Sequence, residues 1–236
     1  MSTVTKKYVT AQSFDKSRMV FKPIVKHSTP AQYQTIPIRY LYDNNEEGPL
    51  IIRTHPVFTF GILENKSPTS SEIQSYSYPL VTYDRTKGQT VQDTKFISMI
   101  EDITAACKNY VSEKVKKNSR KRVDVDSLTM LKNKEDESVK YAPTLFVKLL
   151  TKYKSYPLTI ETVFRKIVGT KIVEIDPMSC IRKKSTVIAA FKVDNIFIGS
   201  MLECIQTRMS EVLIVKEIEK VSVMEDLNLG ELSGVP

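Results

Sequence analysis

The sequence predicts a mainly β protein with one long helix, the strands closing into a partly open antiparallel barrel. Three observations predict it. Apolar residues alternate at period two in the first third of the chain. A single later run, Phe96, Ile100, Ile103, Cys107, Tyr110 and Val111, recurs at three- and four-residue steps. The second half carries several short, β-branched runs separated by turn residues.

Residues 1–34 hold Pro23, Pro30 and many Ser, Thr and Lys, and read as a flexible basic arm with one short strand near Met19–Ile24. From Thr35, the residues Ile36, Ile38, Tyr40 and Tyr42 alternate with Thr35, Pro37, Arg39 and Leu41, which is a strand. The polar stretch from Asp43 to Pro49 supplies a turn. The next run places Leu50, Ile52, Thr54, Pro56, Phe58 and Phe60 on one face and Arg53 and His55 on the other. Pro56 should split it or force a bulge, because proline cannot donate to a ladder. Residues 64–92, rich in Ser, Thr, Pro and Tyr, read as a long loop.

The helix follows, with Asp93 or Thr94 as its N-cap. A charged excursion spans about 114–140. Thr144–Leu150 then reads as a strand with Leu145, Val147 and Leu149 on one face and Phe146 and Lys148 on the other. Further strands are expected at Thr159–Ile167, Lys171–Ile175, Thr186–Ile198 and Glu211–Ile218. The organisation expected is an arm, one domain over 35–220, and a short acidic tail over 221–236.

Composition excludes several functions. No apolar run approaches the roughly 18–20 residues that cross a bilayer. Cys107, Cys180 and Cys204 are widely spaced and form no disulfide framework, which suits a reducing compartment, and the cytoplasm is expected. The seven glycines build no phosphate loop, and the two histidines, His27 and His55, have no nearby partner for nucleophilic catalysis. No cofactor and no zinc site are expected. Asp124 with Asp126, and Glu174 with Asp176, each place two acids on one face of extended chain, as in a metal-dependent nuclease. The plainer reading is a charged loop for the first pair and a strand exit for the second.

The net charge is +8, and it is unevenly distributed. Residues 1–34 sum to +5, 108–122 to +6 and 140–192 to +8, separated by stretches of −3 and −3 and followed by −5 over 193–236. Such blocks can build a one-signed groove for a polyanion. A binder of single strands also needs exposed rings on which bases stack. With no Trp, the 11 Tyr and 9 Phe must serve. Basic and aromatic residues converge on the faces left over from the core: Arg39, Arg53, Phe146, Lys148, Lys152, Tyr153, Lys154, Tyr156, Arg165, Arg182, Lys183, Lys184 and Lys192. The cluster Lys116, Lys117, Arg120, Lys121 and Arg122 adds to them, although a solvated turn or localisation signal is the alternative there. Phe146 fits equally a strand buried on both sides.

The stretch Tyr141-Ala-Pro-Thr-Leu-Phe-Val-Lys-Leu-Leu150 resembles a strand of the replicative single-stranded DNA-binding proteins of large cytoplasmic DNA viruses, of asfarvirus and poxvirus type. So do Asp176-Pro177-Met178, the basic turn after it, and the strand Val187–Ile198 with Asn195-Ile-Phe-Ile-Gly-Ser200 at its end. The helix with its charged excursion, and the tail segment from Met224 to Gly230, are similar in kind. The resemblance covers roughly residues 35–60 and 93–230 in order of elements. It implies an OB-type barrel that coats single strands during replication without catalysis, in the host cytoplasm or a viral replication compartment. Phe146, Lys148 and Arg182-Lys183-Lys184 would then touch DNA. It further implies self-association on DNA and docking of replication proteins through the acidic tail, which is shorter here than in that family. The competing class is a non-enzymatic scaffold or virion assembly protein with a basic interaction face.

Overall fold

In the computed structural model the described residues are 7–28, 32–43, 45–84, 87–115, 123–132, 135–136, 139–140, 142–152, 158–200 and 202–218. The strands are β1 (Met19–Phe21), β2 (Val25–His27), β3 (Tyr33–Leu41), β4 (Glu47–Arg53), β5 (Val57–Thr59), β6 (Leu63–Lys66) and β7 (Ile73–Val81). The helix α1 (Val91–Tyr110) follows, continued by a wider π-helical turn. After it come β8 (Leu131–Lys132), β9 (Glu135–Asp136), β10 (Val139–Lys140), β11 (Thr144–Leu149), β12 (Val163–Val168), β13 (Lys171–Ile175), β14 (Ser185–Ile198) and β15 (Glu203–Glu217).

The mainly β class with one long helix is the class observed, and five strands close a barrel in the order β14-β5-β7-β11-β15, with β15 pairing back to β14. Closure depends on the two longest strands. The pair β14–β15 slips register three times, between Thr186 and Val187, Ala190 and Phe191, and Val193 and Asn195. Each irregularity bends and twists the ribbon, so one hairpin can wrap the barrel and still pair with β5, β4 and β3 along its other edge. Two pairings, β11–β15 and β12–β15, are parallel. Alternation fills the interior: Tyr76, Tyr78 and Leu80 of β7, Leu145, Val147 and Leu149 of β11, and Val187, Ala189, Phe191 and Val193 of β14 are all buried.

The stretch over 64–92 is not a long loop. It contains β6 and β7, and Tyr76, Tyr78 and Leu80 supply the inward face of a barrel strand. Its serines, Ser75 and Ser77, take the half-buried outward positions, and Pro79 is buried. The helix starts three residues earlier than expected. Thr90 is the N-cap, its hydroxyl accepting from the Asp93 amide, while the Asp93 carboxylate accepts from the Thr90 amide at 2.7 Å. This is a reciprocal capping box. Phe96, Met99, Ile100, Ile103 and Cys107 form its buried stripe.

The described part of the N-terminal stretch is packed on the sheet. Val9 bridges to Ile52 and is 3% exposed, β1 and β2 pair with β3, and Phe21 stacks on Tyr110 at 4.5 Å between ring centres. Beyond the helix, Val123, Val125, Leu128 and Met130 are buried in the same core. Among the described residues no helix is long and apolar enough to cross a membrane.

Candidate nucleic-acid interface

The outer barrel face is built by the positions that alternate with the core. On β11 these are Thr144, Phe146 and Lys148, and Phe146 is 40% exposed. The expected alternation of this strand is therefore observed, and the doubly buried alternative for Phe146 is not. Lys148 lies opposite Arg208 of β15, Arg208 lies opposite Lys192 of β14, and Lys192 lies opposite Ile51 of β4. Opposed residues share a face. Arg53, opposite Ala190, therefore takes the diagonal position beside Lys192 on that face. The result is one row of cations, Lys148, Arg208, Lys192 and Arg53, crossing four adjacent strands.

Two features tune this row. Asp194 forms ion pairs with Arg208, whose Nε lies 3.0 Å from its carboxylate, and with Lys192, offsetting part of the charge. Arg53 stacks over the exposed Tyr8 ring with its guanidinium carbon 4.0 Å from the ring centre, so it is held flat by a cation–π contact. At the other end, the Lys132 ammonium lies 5.5 Å from the centre of the Phe146 ring. A groove of about 390 Å³ runs beside Phe146, Lys148, Cys204, Gln206 and Arg208. Burial raises the Cys204 thiol above its ordinary value, with Lys148 acting in the opposite direction.

A second basic and aromatic group lies at the end of the barrel where β14 begins. Arg182, Lys183 and Lys184 are all exposed. Their turn is clamped to the Gly61–Ile62 segment: the Arg182 amide donates to the Ile62 carbonyl and the Ile62 amide donates to the Cys180 carbonyl. Gly61 is required there, because a Cβ would sit 2.5 Å from the Cys180 oxygen and from the Lys183 nitrogen. Arg182 itself holds φ of 53°, a left-handed conformation uncommon for a residue other than glycine. Beside it Phe60 is 46% exposed and meets Phe58 edge to face at 4.9 Å.

The structure thus brings together Arg53, Phe146, Lys148 and Lys192, and separately Arg182, Lys183 and Lys184. Arg165 stands apart on β12 in an ion pair with Glu211 at 3.0 Å. Arg39 lies on β3 between β1 and β4, outside the barrel. Lys152 follows the groove residue Thr151, and its amide donates to the Thr159 carbonyl. Lys116, Lys117, Arg120, Lys121, Arg122, Tyr153, Lys154, Tyr156 and the tail over 221–236 lie outside the described residues.

Sequence reasoning missed Arg208, Lys132, Cys204 and Gln206. Arg208 was legible in principle, since Ile205, Thr207 and Met209 alternate with Gln206, Arg208 and Ser210. It also put Phe58 and Phe60 on the face of Leu50 and Ile52. The break at His55-Pro56 inverts the phase, so Val57 and Thr59 are buried and Phe58 and Phe60 point outward.

His55 has a distant partner: its Nε2 lies 2.6 Å from Asp93 Oδ1. Burial by itself would raise the Asp93 carboxyl, but hydrogen bonds from the Thr90 hydroxyl and amide and from His55 outweigh it and hold it below the usual range. This contact ties the β4–β5 link to the helix start. The paired acids have local duties. Asp124 accepts from the Asp126 amide at 3.1 Å, and Asp176 caps a 3₁₀ turn by accepting from the Met178 amide at 2.9 Å. Among the described residues no three His, Cys, Asp or Glu side chains are grouped to hold a metal ion.

The family described as "Protein of unknown function (DUF2738)" matches residues 12–224. The chain is also 32% identical to the "Early 31 kDa protein" of Frog virus 3 (isolate Goorha) over 213 residues, which is 87% of this chain and 79% of that protein. Its kinship is therefore viral.

Proposed function

Starting from a chain that belongs to the DUF2738 family, with a viral relative, we propose that it is a sequence-tolerant single-stranded DNA-binding protein that coats strands during replication, and not an enzyme. The observation that carries this reading is the row Lys148–Arg208–Lys192–Arg53 running beside the exposed Phe146 ring. Cations at strand spacing, about 4.8 Å apart, neutralise successive phosphates, and an exposed ring stacks on a base whatever its identity. Duplex DNA has no unstacked base to offer such a ring. The relative is named an early protein, which fits a role while the genome is copied. The resemblance of Tyr141–Leu150 and Val187–Ile198 to replicative single-strand binders supports the same reading, with the cytoplasm or a viral replication compartment as the proposed place of work.

Fluorescence anisotropy with labelled oligo(dT) and a duplex of equal length, at two salt concentrations, tests the proposal. Preference for the single strand, with affinity falling steeply as salt rises, supports it. Equal affinity for duplex overturns it.

One observation favours the scaffold reading. Ile167, Val168 and Ile172 are exposed together on the β12–β13 hairpin, whose outer strand β13 is the last in the sheet order among the described residues. Purified protein that carries no nucleic acid, shown by its absorbance ratio, and that assembles without DNA would favour it.

A further inference from the structure

Tyr8 reaches the outer barrel face from the N-terminal segment, and the backbone on both sides of it is fastened. The Val9 amide donates to the Ile51 carbonyl at 2.8 Å, and the Val9 carbonyl accepts from the Arg53 amide at 2.9 Å. On the other side, the Lys7 carbonyl accepts from the Tyr42 hydroxyl at 3.2 Å. Val9 faces inward opposite Ile52, and both are buried, so alternation turns Tyr8 outward, where it is 41% exposed. The cations of the same segment are engaged elsewhere: Lys7, Lys16, Arg18 and Lys22 pair with Glu46, Asp102, Asp43 and Glu47. What the segment adds to the outer face is a ring.

Register places that ring in line with the cations. The Val9–Ile52 bridge is parallel, so Tyr8 takes the level of Ile51. Ile51 lies opposite Lys192, Lys192 opposite Arg208, and Arg208 opposite Lys148. Tyr8 therefore ends the row that begins at Lys148, four strand spacings or roughly 19 Å away. Phe146 stands two residues from Lys148 on the same face of β11. Each end of the row thus carries an exposed ring. At the Tyr8 end the Arg53 guanidinium lies over the ring, 4.0 Å from its centre. Aromatic rings and guanidinium planes both stack on unpaired bases, so the two groups together form one platform.

We propose that the Tyr8–Arg53 stack is a second base-stacking station, at the end of the strand path remote from Phe146. It rests on reading this face as a single-strand interface, so the test separates the two. The probe is oligo(dT), followed by anisotropy at several salt concentrations. A 5-iodouracil version of the same oligonucleotide is photo-crosslinked to the wild type and mapped by mass spectrometry. Crosslinks at both Phe146 and Tyr8 are expected. Tyr8→Leu should weaken binding at least about fivefold, the lower end for one stacked base, with the salt slope unchanged. Tyr8→Phe, which keeps the ring, should bind as the wild type does. The slope separates stacking from mere support of Arg53: if Tyr8 only held that guanidinium against a phosphate, its loss would make the slope shallower by about 0.7. Such a shallower slope, wild-type affinity in Tyr8→Leu, or crosslinks at Phe146 without Tyr8 overturns the station and leaves the interface standing. Failure of the wild type to bind oligo(dT) overturns the interface reading, and the station with it.

Discussion

Lys148 and Arg208 stand directly opposite each other across the parallel β11–β15 pair, two cations on neighbouring strands of one barrel face. Like charges so placed oppose folding by a fraction of a kcal/mol, on the scale of ~0.2–1 kcal/mol for cross-strand pairs. Asp194 pairs with Arg208 and Lys192 and not with Lys148. A fold that keeps this repulsion is suited to a ligand that brings negative charge. Lys148→Ala should therefore leave thermal stability unchanged or slightly higher while weakening oligo(dT) binding. Thermal melts and anisotropy on the same variant check both halves.

Phe146 is expected to act through its exposed ring. Phe146→Ala should cost on the order of 1–3 kcal/mol of single-strand affinity, the stacking contribution of one base. Its effect on the melting temperature should be small, since the inward residues Leu145 and Val147 carry the packing. Equal affinity in wild type and variant would remove the ring from the interface.

The three thiols give a map of access. Burial pushes the Cys107 thiol up to about 12 and also raises Cys180, while Cys204 is half-buried and lines the groove. The thiolate is the reactive form, so Cys107 should be inert to maleimide in the native state. Cys204 should label first, and saturating oligo(dT) should slow it. Mass spectrometry of the labelled peptides reads the order, and labelling unaffected by oligo(dT) would place the strand elsewhere.

How much of this was legible beforehand varied with local pattern. β11 and β14 were readable because Leu145, Val147 and Leu149, and Val187, Ala189 and Phe191, repeat at period two without interruption. β7 was hidden because its inward rings are tyrosines between serines, a composition shared with loops. Individual cations could be placed on faces, yet their assembly into a row depends on register. That Lys148, Arg208 and Lys192 align is set by pairing between strands far apart in sequence. The phase inversion at Pro56, which turns Phe58 and Phe60 outward, depends on how the chain crosses from β14's middle to its start. Likewise the His55–Asp93 contact joins residues 38 positions apart.

That contact makes an acid-stability prediction. The Asp93 carboxyl is depressed in the folded protein, so its contribution is present above the ordinary carboxylate value of about 3.9 and is lost as pH falls through the lower folded value. Asp93→Asn removes the charged acceptor of the capping box and should lower stability by about 1 kcal/mol at neutral pH. The difference from wild type should shrink as both are titrated below about pH 3.9. Chemical denaturation across that range measures it, and a constant difference would contradict the role given to the charge.

Gly61 combines φ of 82° with backbone contacts that leave no room for a Cβ. Gly61→Ala should destabilise the protein by more than about 1 kcal/mol. It should also disturb the Arg182–Lys184 turn that packs on it, which proteolysis at these basic residues would reveal as faster cleavage.

The most direct measurement is the salt dependence of oligo(dT) affinity for the wild type and for the double variant Lys148→Glu, Arg208→Glu. Each phosphate neutralised adds about 0.7 to the slope of log affinity against log salt for a single strand. The expected result is a steep slope in the wild type, a slope shallower by about 1.4 in the variant, and a large loss of affinity at low salt. Identical slopes and affinities in the two proteins would contradict the assignment of this face as the DNA-binding surface.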